Sequence, residues 1–90
     1  MDNIKTLTVG LPKETKTAEN RVALTPEAVR ELTSNGVKVF VQTTAGEGSF
    51  ISDAQYVEAG ATIVPEAADA WAQQMVVKVK EPQKSEFAFL

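Results

Sequence analysis

The sequence predicts an α/β fold in which a parallel sheet of about four strands is flanked by helices. Segments with the two-residue period of a strand alternate along the chain with segments that carry helix-start signals. Short turns rich in glycine and proline separate them. Repeated strand–helix alternation of this kind is typical of parallel sheets covered by helices.

The first strand is predicted at residues 6–11, where it is followed by Pro12. A helix follows, with Thr25 as N-cap and Pro26 at its first position. The pair Asn35-Gly36 supplies the left-handed residue that ends it.

In residues 37–42 valine alternates with Lys38, Phe40 and Gln42, which predicts the second strand. The turn at residues 45–49 leads to a capping box, Ser52 to Gln55, which starts the second helix. Gly60 ends that helix, and residues 61–64 predict the third strand.

Pro65 is predicted to open the third helix, and residues 75–79 form the fourth strand. Right-handed crossovers leave few topologies, and the strand order 2-1-3-4 is favoured, which gives a flavodoxin- or Rossmann-like sheet. Ligands of such sheets bind beyond the carboxyl ends of the strands, at the point where strand order reverses. This order places that point beside the first strand, where residues 13–21 follow it.

Length, composition and charge argue against several classes of function. A 90-residue chain with 43% hydrophobic content is predicted to form one small soluble domain, residues 1–90. The net charge of −3 with scattered cations argues against nucleic acid, and no apolar run approaches membrane-spanning length. A start without an apolar signal segment and the absence of cysteine fit a cytoplasmic protein.

The chain has no histidine, the side chain that most often transfers protons near neutral pH. Without histidine or cysteine, imidazole and thiolate metal sites are excluded, and no acidic cluster has the spacing of a calcium loop. We therefore predict no metal.

Arg21 and Lys80 are the candidate binding pair, because each follows a predicted strand at its carboxyl end. Strands two positions apart would separate these ends by about 10 Å. Arginine grips a carboxylate through two hydrogen bonds and lysine supplies a mobile charge, which together suit a 2-oxo acid. The alternative is that both are solvated surface cations.

The turn Gly46-Glu47-Gly48 follows a strand and precedes a helix, as a dinucleotide fingerprint does. Ile51 stands where the third glycine would be, so a plain turn is predicted rather than a phosphate site. Glu14 and Glu19 share the loop with Arg21; they are predicted to be solvated, with a catalytic role as the alternative.

Two aromatic residues are predicted to pack rather than to act on a ligand. Trp71 shares a helix face with alanines, and an aromatic residue there is usually core. Tyr56 has the spacing of a helix-start staple with Ile51.

The order of these motifs resembles the opening of alanine dehydrogenases, in the N-terminal family that they share with nicotinamide nucleotide transhydrogenases. The matching segments span nearly the whole chain: residues 9–16, 19–26, 45–49 and 59–61, Trp71 and residues 78–82.

The resemblance implies that the full-length family interconverts L-alanine with pyruvate and ammonia, using NAD. It implies that Arg21 and Lys80 hold the substrate's carboxylate and carbonyl oxygen, whereas Lys78 serves structure or the surface. The family's catalytic histidine and nucleotide domain have no counterpart in residues 1–90. The chain is therefore expected to be a truncated, substrate-side domain, inactive alone, with no catalytic residue and no cofactor of its own.

Three alternatives stay open at this point. In the first, the chain is part of a transhydrogenase alpha subunit. In the second, it is a stand-alone module that binds an oxo acid or another protein. In the third, it is one component of a split enzyme. The expected partners are a small oxo acid such as pyruvate and either further copies of this chain or a complementing chain.

Overall fold

The computed structural model describes residues 7–16 and 19–90, so the predicted strand residue Thr6 lies outside the described part. The described elements, in chain order, are β1 (Thr8–Leu11), α1 (Pro26–Ser34), β2 (Lys38–Gln42), a 3₁₀ turn (Glu47–Ser49), α2 (Asp53–Glu58), β3 (Thr62–Val64), α3 (Ala67–Trp71), β4 (Met75–Val76) and a 3₁₀ segment (Lys84–Phe89). All strand pairs are parallel, and the four-stranded sheet flanked by helices confirms the predicted fold class.

The core lies between one face of the sheet and the helices α1 and α2. Alternate residues of β1 and β2 point to this face, where they meet Val29 of α1 and Tyr56 of α2. The buried cluster consists of Val9, Leu11, Val29, Val39, Val41, Ala45, Tyr56, Ala59 and Ala61.

The opposite face is covered by α3, which lies against the backbone of β1. A Cβ atom on Gly10 would stand only 1.8 Å from the carbonyl oxygen of Ala70. Glycine in β1 and alanine in α3 therefore allow a close helix–strand approach that larger side chains would prevent.

The predicted strand order 2-1-3-4 is wrong, since the observed order is β3-β2-β1-β4. Val41 of β2 pairs with Ile63 of β3, and Gly10 of β1 pairs with Val76 of β4. Because α1 and α2 lie on one face, two right-handed crossovers step outward in the same direction. The third helix lies on the other face, so the chain returns past β1. The order therefore reverses between β1 and β4, which are adjacent rather than two positions apart.

Local signals placed the first two helices correctly. The Thr25 hydroxyl accepts a hydrogen bond from the Ala28 N–H at 3.2 Å, and Ser52 forms the predicted capping box with Gln55. Gly36 and Gly60 have positive φ angles of 87° and 106°, as left-handed helix ends require.

Two boundaries differ from the prediction. α3 begins at Ala67, after Glu66 as N-cap, rather than at Pro65. β4 ends at Val76 instead of continuing to Val79, because the Val79 N–H turns away from the sheet and donates to the Glu14 carboxylate at 2.8 Å. Within the described residues, no helix has both the length and the apolar character needed to cross a membrane.

Candidate functional site

The candidate site lies at the carboxyl ends of β1 and β4, where the strand order reverses. Residues 12–16 and 19–24 leave β1, and residues 77–80 leave β4. Adjacent parallel strands end at the same sheet edge, so these two segments lie side by side. The topology thus brings the predicted cation-bearing segments together, although through a different strand order from the predicted one.

Arg21 is held by Glu19, two residues earlier in the chain. Its Nε and Nη2 atoms each donate to a carboxylate oxygen of Glu19 at 3.0 Å, and its backbone N–H donates to the same group at 2.8 Å. The Arg21 side chain is 67% exposed, whereas that of Glu19 is only 6% exposed. The buried Glu19 carboxylate thus orients the guanidinium, which remains largely exposed to solvent. Two of its five N–H groups donate to Glu19.

The Glu19–Arg21 pair changes the proton affinity of both groups. Hydrogen bonds from Arg21 are the main cause that lowers the pKa of Glu19 to about 2, and the charge of Lys80 is a small contribution to the same shift. The pKa of Arg21 is raised by its hydrogen bonds to Glu19. Arg21 therefore contacts Glu19 directly, whereas Lys80 acts on it only through its charge.

Glu14 is buried and fully engaged, so its predicted solvation is wrong. Its carboxylate accepts from the Lys78 ammonium at 2.9 Å and from the Val79 N–H at 2.8 Å, and the Lys80 N–H lies 3.4 Å away. The loop that leaves β1 folds back over the end of β4, which places this carboxylate under the segment of residues 78–80.

Lys78, for which a structural or a surface role was predicted, makes buried ion pairs. Its ammonium lies 2.9 Å from Glu14 and 3.3 Å from Glu86, and the side chain is only 7% exposed. Glu86 was not singled out from the sequence. No local motif indicates it, since it reaches Lys78 only through the 3₁₀ segment that follows Gln83.

A cavity of about 310 Å³ opens beside the Arg21 loop. Two cations, Lys13 and Arg21, contribute to its wall, and Lys80 does not line it. The described lining residues are Lys13, Glu14, Glu19, Asn20, Arg21, Thr44, Ala45, Glu47 and Gly48. The Lys13 ammonium is fixed by a 3.2 Å hydrogen bond to the Thr44 hydroxyl.

The glycine turn at residues 45–49 supports the Arg21 loop. A Cβ atom on Gly48 would lie 2.8 Å from the Asn20 carbonyl oxygen. The same oxygen accepts a hydrogen bond from the Ser49 hydroxyl at 2.8 Å. Gly48 and Ser49 thus hold the residue that precedes Arg21. The spacing of glycine and serine in this turn was the available signal for a close backbone contact.

The two aromatic residues pack, in different ways. Tyr56 is fully buried and donates a 2.7 Å hydrogen bond to the Leu24 carbonyl, and burial raises its pKa to about 12. Trp71 is half-buried rather than core, and it stacks on Phe89 with ring centroids 5.8 Å apart. Among the described residues, no cluster of three or more potential metal ligands is present.

The chain matches one known family over most of its length. Residues 10–90 match the family described as alanine dehydrogenase/PNT, N-terminal domain. The chain belongs to this family.

Individual members of the family show the same relationship. An alanine dehydrogenase from Staphylococcus epidermidis is 52% identical over 81 residues, which cover 90% of this chain and 22% of that protein. Alanine dehydrogenase 2 from Staphylococcus aureus is 51% identical over the same share of each chain. This chain therefore spans about a fifth of the length of these relatives and corresponds to their N-terminal domain.

Solved structures agree in fold. An L-alanine dehydrogenase structure superimposes with a TM-score of 0.92 at 49% identity, covering 93% of this chain and 23% of that one. A transhydrogenase from Sinorhizobium meliloti gives a TM-score of 0.85 at 39% identity, covering 91% and 23%. The TM-score and the identity are both higher for the L-alanine dehydrogenase, so the transhydrogenase alternative is not favoured.

Proposed function

We propose that this chain provides the oxo-acid-binding part of an NAD-dependent alanine dehydrogenase, which interconverts L-alanine with pyruvate and ammonia. The observation that carries the proposal is that Arg21, held by two side-chain hydrogen bonds to Glu19, and Lys80 follow adjacent parallel strands at the reversal point of the sheet. Two cations around one point form a suitable receptor for a small anion with a second polar oxygen.

The two cations take different roles in this proposal. Arg21 is exposed and oriented by Glu19, so its planar guanidinium presents donors to the substrate carboxylate. Lys80 supplies a mobile ammonium that donates to the carbonyl oxygen and stabilises the negative charge that develops there. No residue of this chain is assigned to the proton transfer, since the sequence contains no histidine.

We propose that NAD is bound outside this chain. The only glycine turn that resembles a nucleotide fingerprint among the described residues is closed by the contact between Gly48 and Asn20. NAD and the proton donor would therefore be supplied by other parts of the enzyme, and we expect this chain to be inactive alone.

We also propose that the enzyme is cytoplasmic and that this chain associates with a partner through exposed apolar side chains. Large apolar side chains are exposed at one sheet edge and in the segment that follows it, including Met75 at 48%, Phe87 at 54% and Leu90 at 77%. Exposed apolar patches and open strand edges favour association. We propose that a second copy or a complementing chain covers them. A mass that stays monomeric in light scattering at rising concentration would refute this part.

Calorimetric titration with pyruvate tests the binding proposal. Replacement of Arg21 by alanine should weaken binding by roughly 1.5–3 kcal/mol, the value of a charge-assisted hydrogen bond. Arg30→Ala is the matched control, since it removes an exposed arginine from α1, on the helix rather than the site loop. Equal heats from the native and Arg21→Ala chains would end the assignment.

A further inference from the structure

The carboxylate of Glu14 contacts three consecutive residues at the end of β4. One oxygen accepts from the Lys78 ammonium at 2.9 Å and lies 3.4 Å from the Lys80 N–H. The other oxygen accepts from the Val79 N–H at 2.8 Å. With a residue exposure of only 9%, Glu14 is a buried charged group with defined partners rather than a surface acid.

Lys78 and Lys80 have different surroundings although they are only two residues apart. Lys78 lies between the carboxylates of Glu14 and Glu86 and is 7% exposed. Lys80 is only partly buried, and its backbone N–H rather than its ammonium lies near Glu14, at 3.4 Å. The contacts of Glu14 thus fix the backbone from which the Lys80 side chain departs.

We propose that Glu14 is a positioning residue that sets Lys80 opposite Arg21 for oxo-acid binding. This inference rests on the proposed function for its ligand, and its geometry rests on the three contacts of the carboxylate. Glu14 belongs to the same loop as Arg21, so it ties the end of β4 to the segment that carries the other cation. Fixing the backbone at Val79 reduces the conformational freedom that Lys80 loses when it binds.

A glutamine at position 14 could not make all the contacts that the Glu14 carboxylate makes. A glutamine side chain has one acceptor oxygen and one donor NH₂ group. Its oxygen would go to the charged Lys78, where the hydrogen bond is stronger. The NH₂ group would then face the Val79 N–H, so the contact that fixes the backbone before Lys80 would be lost.

A double-mutant cycle with pyruvate as the probe tests the inference. Glu14→Gln should weaken pyruvate binding by about tenfold, near the low end for one charge-assisted hydrogen bond. In a Lys80→Met background the same change should have no further effect, because Glu14 acts through Lys80. Losses that add in the double variant would overturn the proposal.

Glu86→Gln is the matched control for a purely structural role. It removes the other buried partner of Lys78, and Glu86 makes no contact with the Val79 or Lys80 N–H groups. It should lower stability while leaving pyruvate affinity within about twofold of the native value, which is comparable to the deviation expected for independent sites. A tenfold loss from Glu86→Gln would overturn the special role of Glu14. Glu14→Asp, which keeps the charge but shortens the reach, replaces Glu14→Gln in the cycle if that chain does not fold.

Amide hydrogen exchange separates this inference from the proposed function. The Val79 N–H should exchange at least tenfold faster in Glu14→Gln than in the native chain, while the Gly10–Val76 pairing region keeps its protection. If the native chain binds no pyruvate, the proposed function fails, and this exchange result still decides whether Glu14 fixes the segment. Unchanged Val79 exchange would overturn the positioning role.

Discussion

The two cation-bearing segments of the site are built in opposite ways. Arg21 pairs with Glu19, two residues away, and stays 67% exposed. Lys78 pairs with Glu14, 64 residues away, and is 7% exposed. The local pair needs little of the fold and leaves its cation available to a ligand. The distant pair exists only when β1 and β4 are assembled, so it serves to fix the backbone.

The largest expected effect follows from removing the buried cation. Lys78→Met would leave the Glu14 and Glu86 carboxylates buried without their partner, which should cost about 3–5 kcal/mol of unfolding free energy. Urea denaturation measures this loss. Lys84→Met, at an exposed position, is the control and should change stability by less than about 0.5 kcal/mol. Equal stabilities for the two variants would show that the buried ion pairs of Lys78 do not stabilise the fold.

A smaller effect is expected in the turn that supports the Arg21 loop. Gly48→Ala places a Cβ atom 2.8 Å from the Asn20 carbonyl, and the crowding should cost about 1–3 kcal/mol. Ser49→Ala removes only the hydrogen bond to that carbonyl and should cost about 0.5–1.5 kcal/mol. Thermal unfolding ranks the two variants. A Gly48→Ala chain as stable as the native one would show that the turn does not hold this loop closely.

The smallest effect on stability concerns the Glu19–Arg21 pair, and we expect to detect it through the pH dependence of stability. The pKa of Glu19 lies at about 2, below its ordinary value of 4.5, because Arg21 donates hydrogen bonds to the carboxylate. Ionised Glu19 therefore stabilises the fold above pH 4.5, and this stabilisation is lost as the pH falls towards 2.

Carbon-13 NMR of the glutamate carboxyl groups, followed downward from neutral pH, measures this titration. Arg21→Ala should raise the Glu19 midpoint towards 4.5, and Lys80→Met should raise it by a smaller amount, in the order of their contributions. Arg30→Ala should leave it unchanged. A Glu19 midpoint that is unchanged in Lys80→Met would show that the Lys80 charge does not act on the Glu19–Arg21 pair.

Local chemistry explains which parts of the fold were predictable from the sequence. The Thr25 N-cap, the Ser52–Gln55 capping box and the left-handed Gly36 and Gly60 are all set within a few residues, and the structure contains each of them. The strand order was not predictable in this way. It depends on which face of the sheet each helix covers, and the close approach of Gly10 to Ala70 allows α3 to cover the far face.

The same distinction applies to the site. Arg21 and Lys80 were singled out because each follows a strand, and the sheet edge that they share is determined by topology. The burial of Glu14 depends on contacts with residues far along the chain, for which no spacing rule exists. Glu86 contacts Lys78 because the 3₁₀ segment of residues 84–89 brings it back to the end of β4. A glutamate in a polar loop carries no mark that distinguishes a solvated acid from a buried one.

The central claim is that the guanidinium of Arg21 and the ammonium of Lys80 receive the same anion. NMR titration of a chain labelled in its arginine and lysine side chains, with increasing pyruvate, tests this most directly. We predict that the Arg21 Nε–H signal and the Lys80 Cε signal move together along one saturation curve with a common dissociation constant. Movement of only one signal, or two different constants, would contradict the account.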